Sequence, residues 1–227
     1  MTTLSEDYQY YVEKANPVSF PVARPNWENI AEKYSIPVES AKFLSCYGSF
    51  YVYGRRLLFG EPQNLSGVLP LVFQGDRDFI HSDTVVIAYS AFGKLLCWNR
   101  KLDSIEIDLL HSTIACRELV RPSKPTRNRD ISFDGMITVF DPDVLDVEDE
   151  NGDLLFAKAQ KKLGPLNYGE CYGFRLAPPL GGRRTLDKLE RVSAPEHFSF
   201  LAQLQPFTLI DYGTTQDFGL RVIRQIG

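Results

Sequence analysis

The densest group of ionisable side chains lies at 141–153, DPDVLDVEDENGD, where Asp141, Asp143, Asp146, Glu148, Asp149, Glu150 and Asp153 occur without a single base. Asp, Asn and Gly at 149–152 have the composition of a calcium loop, and ligand identity tests that reading. Setting Gly152 at loop position six puts Val147 at position one and Lys158 at position twelve, where an EF-hand needs Asp and a bidentate Glu. An EF-hand is excluded. Two uses remain open: a solvated loop whose acids cap helices, or an acidic surface that meets a cationic partner. Gly181-Gly182-Arg183-Arg184 has residues that could cradle a phosphate with amides and flanking arginines, or could be a glycine turn joining two elements. His81, His111 and His197 stand apart, with no HxxxH or HExxH spacing, and read as structural or surface histidines. No serine sits in GxSxG, and no Walker or Rossmann glycine pattern occurs. Cys46, Cys97, Cys116 and Cys171 form no CxxC and read as small buried hydrophobes. No catalytic residue, metal or cofactor is assigned.

The elements that would position these residues follow from periodicity. Asn26 precedes Trp27, Ile30, Ala31 and Tyr34, a helical stripe behind a good cap. Pro37 suits the first turn of a second helix running through Leu44, which Gly48 can close. FYVYG and RRLLFG, joined at Gly54 and Arg55, read as a β-hairpin ended by Glu61-Pro62. Asn64 to Phe73 has helical spacing weakened by Gly67 and Pro70. Strands are expected at 84–90, 94–99 and 104–110, continuing the hairpin as an antiparallel meander. RELVRPSKPTRNR, 117–129, reads as a solvated connector or a basic docking strip.

Behind Asp130, residues Phe133, Met136, Ile137 and Phe140 suggest a helix stopped by Pro142, with a strand as the competing reading. In LLFAKAQKKLGP, Leu155, Ala159 and Leu163 share one helix face, and Gly164 and Pro165 end it. GECYGFRLAPPLGG is extended and punctuated. Ser193 to Glu196 reads as a capping box opening a helix with a buried stripe of Phe198, Leu201 and Leu204. The last twenty or so residues look like a turn and a final short strand.

With 227 residues, 44% hydrophobic and 24% charged, the chain has ordinary globular composition and enough length for a real core. A net charge of -4 argues against direct nucleic-acid binding, which needs a cationic face. No apolar run reaches the roughly 20 residues of a membrane span, so no membrane contact is expected. The start, MTTLSEDYQYYVEK, lacks a basic region followed by an apolar one, so the expectation is a soluble protein that stays in the cytoplasm.

Two stretches carry a resemblance. AYSAFGKLLCWNR, 88–100, is similar to the "ARSAFGDLYLW" signature of the GAD-like domain, with Ala91, Phe92, Gly93 and Trp98 retained. LLFAKAQKKLGPLNYGECYGFRLAPPLGG, 154–182, resembles the "LFxxAxxxLGPLxxxExYGFxPALxLGG" signature of the domain that follows it in Tdi-type immunity proteins of type VI secretion systems. The departures are the lost asparagine of the family's "NGLFxxxNPxEY" stretch, here YGRRLLFGEPQNL, and an extra residue before the double glycine. The resemblance implies a cytoplasmic bacterial protein that binds and neutralises a cognate nuclease effector toxin, usually a DNase, encoded beside it. It also makes Gly164, Pro165, Tyr172 and Gly173 fold determinants, and leaves partner contacts to exposed, variable segments.

The combined expectation is an α+β protein, an antiparallel sheet with N-terminal helices packed against a helix-rich C-terminal domain with a short hairpin. Its parts are an extension at 1–17, a GAD-like domain at 18–120, a linker at 121–130, a Tdi-type domain at 131–205 and a tail at 206–227. It is not expected to be an enzyme. The seven acids from Asp141 to Asp153 are the partner-facing candidates. A scaffold of the same fold with a non-toxin partner, and a phosphate- or small-molecule-binding enzyme, are the alternatives.

Overall fold

The computed structural model describes residues 4–60, 64–123, 128–138, 141–213 and 218–227. Helix α1, Glu6–Ala15, turns Tyr8, Tyr11 and Ala15 inward and ends on Asn16 in the left-handed region. Strand β1, Val18–Ser19, is followed by α2, Trp27–Tyr34, where the Asn26 side chain accepts the Asn29 amide at 3.1 Å. Helix α3, Val38–Tyr47, runs past Leu44 to its cap at Gly48, with Pro37 just ahead of its first turn. The hairpin strands β2, Phe50–Val52, and β3, Leu57–Phe59, turn through Gly54 at φ 63. Glu61 and Pro62 lie outside the described residues. Helix α4, Val68–Phe73, tolerates Pro70 because a proline in the first turn removes no intrahelical hydrogen bond.

The meander forms as read from β4, Thr84–Ser90, β5, Lys94–Asn99, and β6, Asp103–Asp108; it continues into a short strand that the sequence reading missed, β7, Thr113–Ala115. The basic connector holds a one-turn helix, α5, Arg117–Val120, whose Leu119 and Val120 pack on the core; residues 124–127 lie outside the described residues. In α6, Arg129–Ile137, the cap is Asn128, which accepts the Asp130 amide, and not Asp130 itself. Phe140 falls outside the described residues.

Helix α7, Phe156–Leu163, ends at Gly164 with φ 85. Strands β8, Glu170–Phe174, and β9, Leu189–Ser193, pair as a separate hairpin that leads into α8, Ala194–Leu201. Ser193 makes no side-chain cap, so the capping box does not form; that serine is the last residue of β9. Phe198 and Leu201 are buried, while Leu204 lies beyond the helix end, half-buried against the core. In place of a turn and one short strand, the C-terminal residues form two strands, β10, Thr208–Gly213, and β11, Phe218–Gln225; residues 214–217 between them lie outside the described residues.

The result is a mixed α/β fold on a nine-stranded sheet, ordered β1-β2-β3-β4-β5-β6-β7-β10-β11, antiparallel except for the β7–β10 pair. One apolar cluster, with Val86, Leu95, Ile107 and Ile114 from the sheet, packs under α4, α7 and α8. The second places Phe50, Phe59, Ile87 and Trp98 against α1, α2, α3 and α6, and its sheet residues stop at β5. The two signature stretches meet in the first cluster. The Tyr172 amide donates to the Ala91 carbonyl at 2.8 Å, the Tyr172 ring lies 5.8 Å from Phe92, and its hydroxyl donates to the Gly164 carbonyl at 2.7 Å. Cys97, Cys116 and Cys171 are buried as expected, but Cys46, in the last turn of α3, is exposed.

Candidate partner-binding surface

The acidic segment between α6 and α7 is built largely by its own carboxylates. Asp141 accepts the Asp143 amide at 3.0 Å and caps a short 3-10 turn, Pro142–Leu145. Asp146 Oδ1 accepts amides from Val147, Leu155 and Phe156 at 2.7, 3.2 and 2.8 Å, tying the start of α7 to the loop. Its Oδ2 is buried with no hydrogen-bond partner, and desolvation raises its pKa above the usual carboxylate range. Asp149 Oδ1 takes the amides of Asn151 and Asp153 at 2.8 and 3.0 Å, and these bonds lower its pKa. Lys158 sits over this turn, 2.8 Å from Asp153 and 3.6 Å from Asp149. The EF-hand register therefore fails in space as well as in ligand type: Val147 is buried, and Lys158 supplies the positive charge.

Glu150 reaches across to Arg183, whose Nε donates at 3.0 Å and whose terminal nitrogen at 2.5 Å, while the Glu150 amide donates to the Arg184 carbonyl at 3.2 Å. That contact joins the acidic run to the glycine-arginine turn and decides the reading of the latter. The Gly181 amide already donates to Pro178, and the Gly182 amide to Ala177. A Cβ on Gly182 would stand 1.8 Å from the Leu176 carbonyl oxygen. The double glycine is thus a close-packed turn whose amides are already used, and it offers no phosphate cradle.

Of the seven candidates, Asp141, Asp146, Asp149, Glu150 and Asp153 are engaged within the chain. Asp143 keeps only a 3.4 Å contact with Arg56, Glu148 makes no ion pair among the described residues, and Asp141, Asp143 and Glu148 are exposed beside Val144, itself 56% exposed. Lys94 links this segment to the sheet: it donates to the Val144 carbonyl at 3.3 Å and pairs with Glu106 at 3.2 Å. Next to it His111 lies 3.0 Å from Asp108, which raises the imidazole pKa. His197 packs against Gly173, and burial lowers its pKa. The three histidines stay apart, and among the described residues no cluster of His, Cys, Asp or Glu could hold a metal. No helix among those residues is long and apolar enough to cross a membrane.

A feature that sequence reading missed lies further along the sheet. A hollow of about 390 Å³ opens between α5, α6 and the strands β6, β7 and β10, lined by Glu106, Ala115, Arg117, Met136, Ile210 and Tyr212. No local sequence pattern signals it, because its lining comes from segments far apart in the chain.

Residues 18–111 match the family model of the GAD-like domain, and residues 136–205 match that of the T6SS immunity protein Tdi1, C-terminal. The crystal structure of Atu4351 from Agrobacterium tumefaciens is similar over 97% of this chain and 98% of that one, with 27% identity and a TM-score of 0.85. No curated protein matches the chain.

Proposed function

We propose that this chain, which belongs to the Tdi-type immunity proteins of type VI secretion systems, neutralises a nuclease toxin in the cytoplasm by covering its active site or DNA groove. The observation that carries the nuclease reading is electrostatic. A surface that holds DNA is cationic, whereas this chain has a net charge of -4 and presents Asp141, Asp143 and Glu148 outward on one segment. Complementary charge speeds encounter and disfavours wrong partners. Inhibition by occlusion needs shape and charge on the inhibitor and no bond-making groups. The alternative of a phosphate-binding enzyme at Gly181 to Arg184 loses its donors to the turn itself.

The carboxylates divide by task in this reading. Asp146, Asp149, Glu150 and Asp153 shape the segment, Asp143 and Glu148 meet the toxin, and Asp141 does both, its Oδ1 capping the 3-10 turn. Replacing Asp141, Asp143 and Glu148 by lysine is expected to slow association with the inactivated effector encoded beside this chain, more at low salt than at high salt. Unchanged association rates across that series would remove the segment from the interface. The function itself is tested by co-elution with that effector, followed by a DNA-cleavage assay with the active form. A complex in which cleavage stops supports the proposal, and a complex with cleavage intact rejects it.

A further inference from the structure

The two edges of the nine-stranded sheet are unequal. At one end β1 contributes two residues, too few to template another strand. At the other, β11 spans eight residues and, among the described residues, pairs only with β10. Long edges of this kind are normally blunted by charge, proline or cover, because their unpaired amides and carbonyls recruit another strand. Here Leu220 is 60% exposed and Val222 64%, and Tyr212 on the neighbouring strand is 53% exposed.

Register gives the two faces of this edge different chemistries. Val222 pairs with Ile210, Ile210 with Ala115, and Ala115 with Glu106, so these side chains lie on one face. Tyr212, two residues further along β10, shares it through its bond to Glu106, and the exposed Leu220 lies where the β10–β11 register shifts between Arg221 and Phe218. This is the face on which the second apolar cluster stops at β5, and Tyr212 donates there to Glu106 at 2.9 Å. The opposite face carries Arg221, paired in register with Asp211. Asp211 is shared: Arg121 lies 2.6 Å from it and Arg221 3.4 Å, so one carboxylate answers two guanidiniums and Arg221 remains 68% exposed. The strand's other arginine, Arg224, is held by Asp76 and Asp78, so Arg221 is the guanidinium that this strand presents outward.

We infer that the free edge of β11 is a docking site for an extended segment of the toxin, added as a tenth strand, with apolar side chains against Leu220, Val222 and Tyr212 and an acidic side chain against Arg221. The inference rests on the immunity reading and deepens it. Strand addition draws affinity from main-chain hydrogen bonds and specificity from alternate side chains, and this edge offers both. The acidic segment and Arg221 then offer the toxin charges of opposite sign at two places, which favours one orientation of the complex.

The test uses the full-length chain and the catalytically inactivated effector encoded beside it. Calorimetric titration is made with wild type, with Leu220→Lys/Val222→Lys and with Arg221→Glu, and amide hydrogen exchange is followed in the wild-type complex. The double variant is expected to bind about tenfold or more weakly, Arg221→Glu to weaken binding most at low salt, and the outward-facing amides of 219–225, those not bonded to β10, to gain protection. If wild type binds but both variants match it and those amides stay unprotected, the edge inference is overturned while the immunity reading stands. If wild type forms no complex, the immunity reading fails first. A wild-type homodimer that the double variant converts to monomer would assign the edge to a second copy and overturn the inference. Should the double variant fail to fold, Arg221→Glu, altered only at an exposed side chain, carries the same test.

Discussion

Asp146 shows how one carboxylate can serve the fold at an electrostatic cost. Its Oδ1 gathers three amides at the start of α7, while its Oδ2 is buried without a partner. Asp146→Ala removes the acceptor and is expected to cost about 1–2 kcal/mol, the range for lost helix caps. Asp146→Asn keeps an acceptor oxygen and removes the buried charge, so its stability at neutral pH is expected to stay closer to wild type. The raised pKa fixes the sign of the pH dependence. Asp146 favours the folded state below the ordinary carboxylate value, and that benefit is lost as pH rises through the raised folded value. Thermal unfolding from pH 4 to 8 should therefore show Asp146→Asn gaining on wild type as pH rises; parallel curves would contradict the assignment. The sequence displayed seven acids together, but which of them cap, pair or face outward depends on Arg183 and Lys158 and on backbone geometry that no local pattern encodes.

At the scale of elements, β11 is tied back to the body of the fold by a clamp that acts in addition to its pairing with β10. Arg224 donates to both Asp76 oxygens and to Asp78 at 2.7 Å, and Asp76 also accepts the Gly227 amide at 3.3 Å. The Arg224 guanidinium holds the Asp76 carboxyl well below the usual range. Such a group stabilises the fold above the ordinary carboxylate value, and the gain is lost as pH falls through the lower folded value. Asp76→Asn is expected to cost about 1.5–3 kcal/mol near neutrality and to flatten the loss of stability below pH 4. An unchanged acid limb would contradict this. The last strand was legible only as a short one because its anchor lies far away in sequence, beyond Phe73, and its partner β10 joins the sheet by parallel pairing to β7. By contrast, the meander from Thr84 to Asp108 was legible because each strand pairs with its neighbour in sequence.

Gly173 connects element to motif. A Cβ there would lie 2.8 Å from the Val192 side chain and 2.9 Å from the His197 ring, so in Gly173→Ala these side chains must shift. It is expected to destabilise by about 1–3 kcal/mol as an overpacking change, with a lowered Tm as readout; an unchanged Tm would show that His197 can move at no cost.

At the scale of the whole molecule, the two family-matched stretches share one core. Leu58 and Ile107 from the first, Phe156 and Phe198 from the second, and Phe207 and Ile226 from the C-terminal strands belong to a single buried cluster. One cooperative unfolding transition is expected by calorimetry, and two resolved transitions would contradict a shared core. The two signatures pointed to the family. The shared core was not legible, because it depends on contacts such as Tyr172 to Ala91 that lie far apart in the chain. The decisive experiment is titration of this chain against the inactivated form of the proposed cognate effector, repeated with the active form and DNA. A stable stoichiometric complex and loss of cleavage at one equivalent are expected. Absence of a complex, or cleavage that persists at saturating inhibitor, would contradict the proposed function.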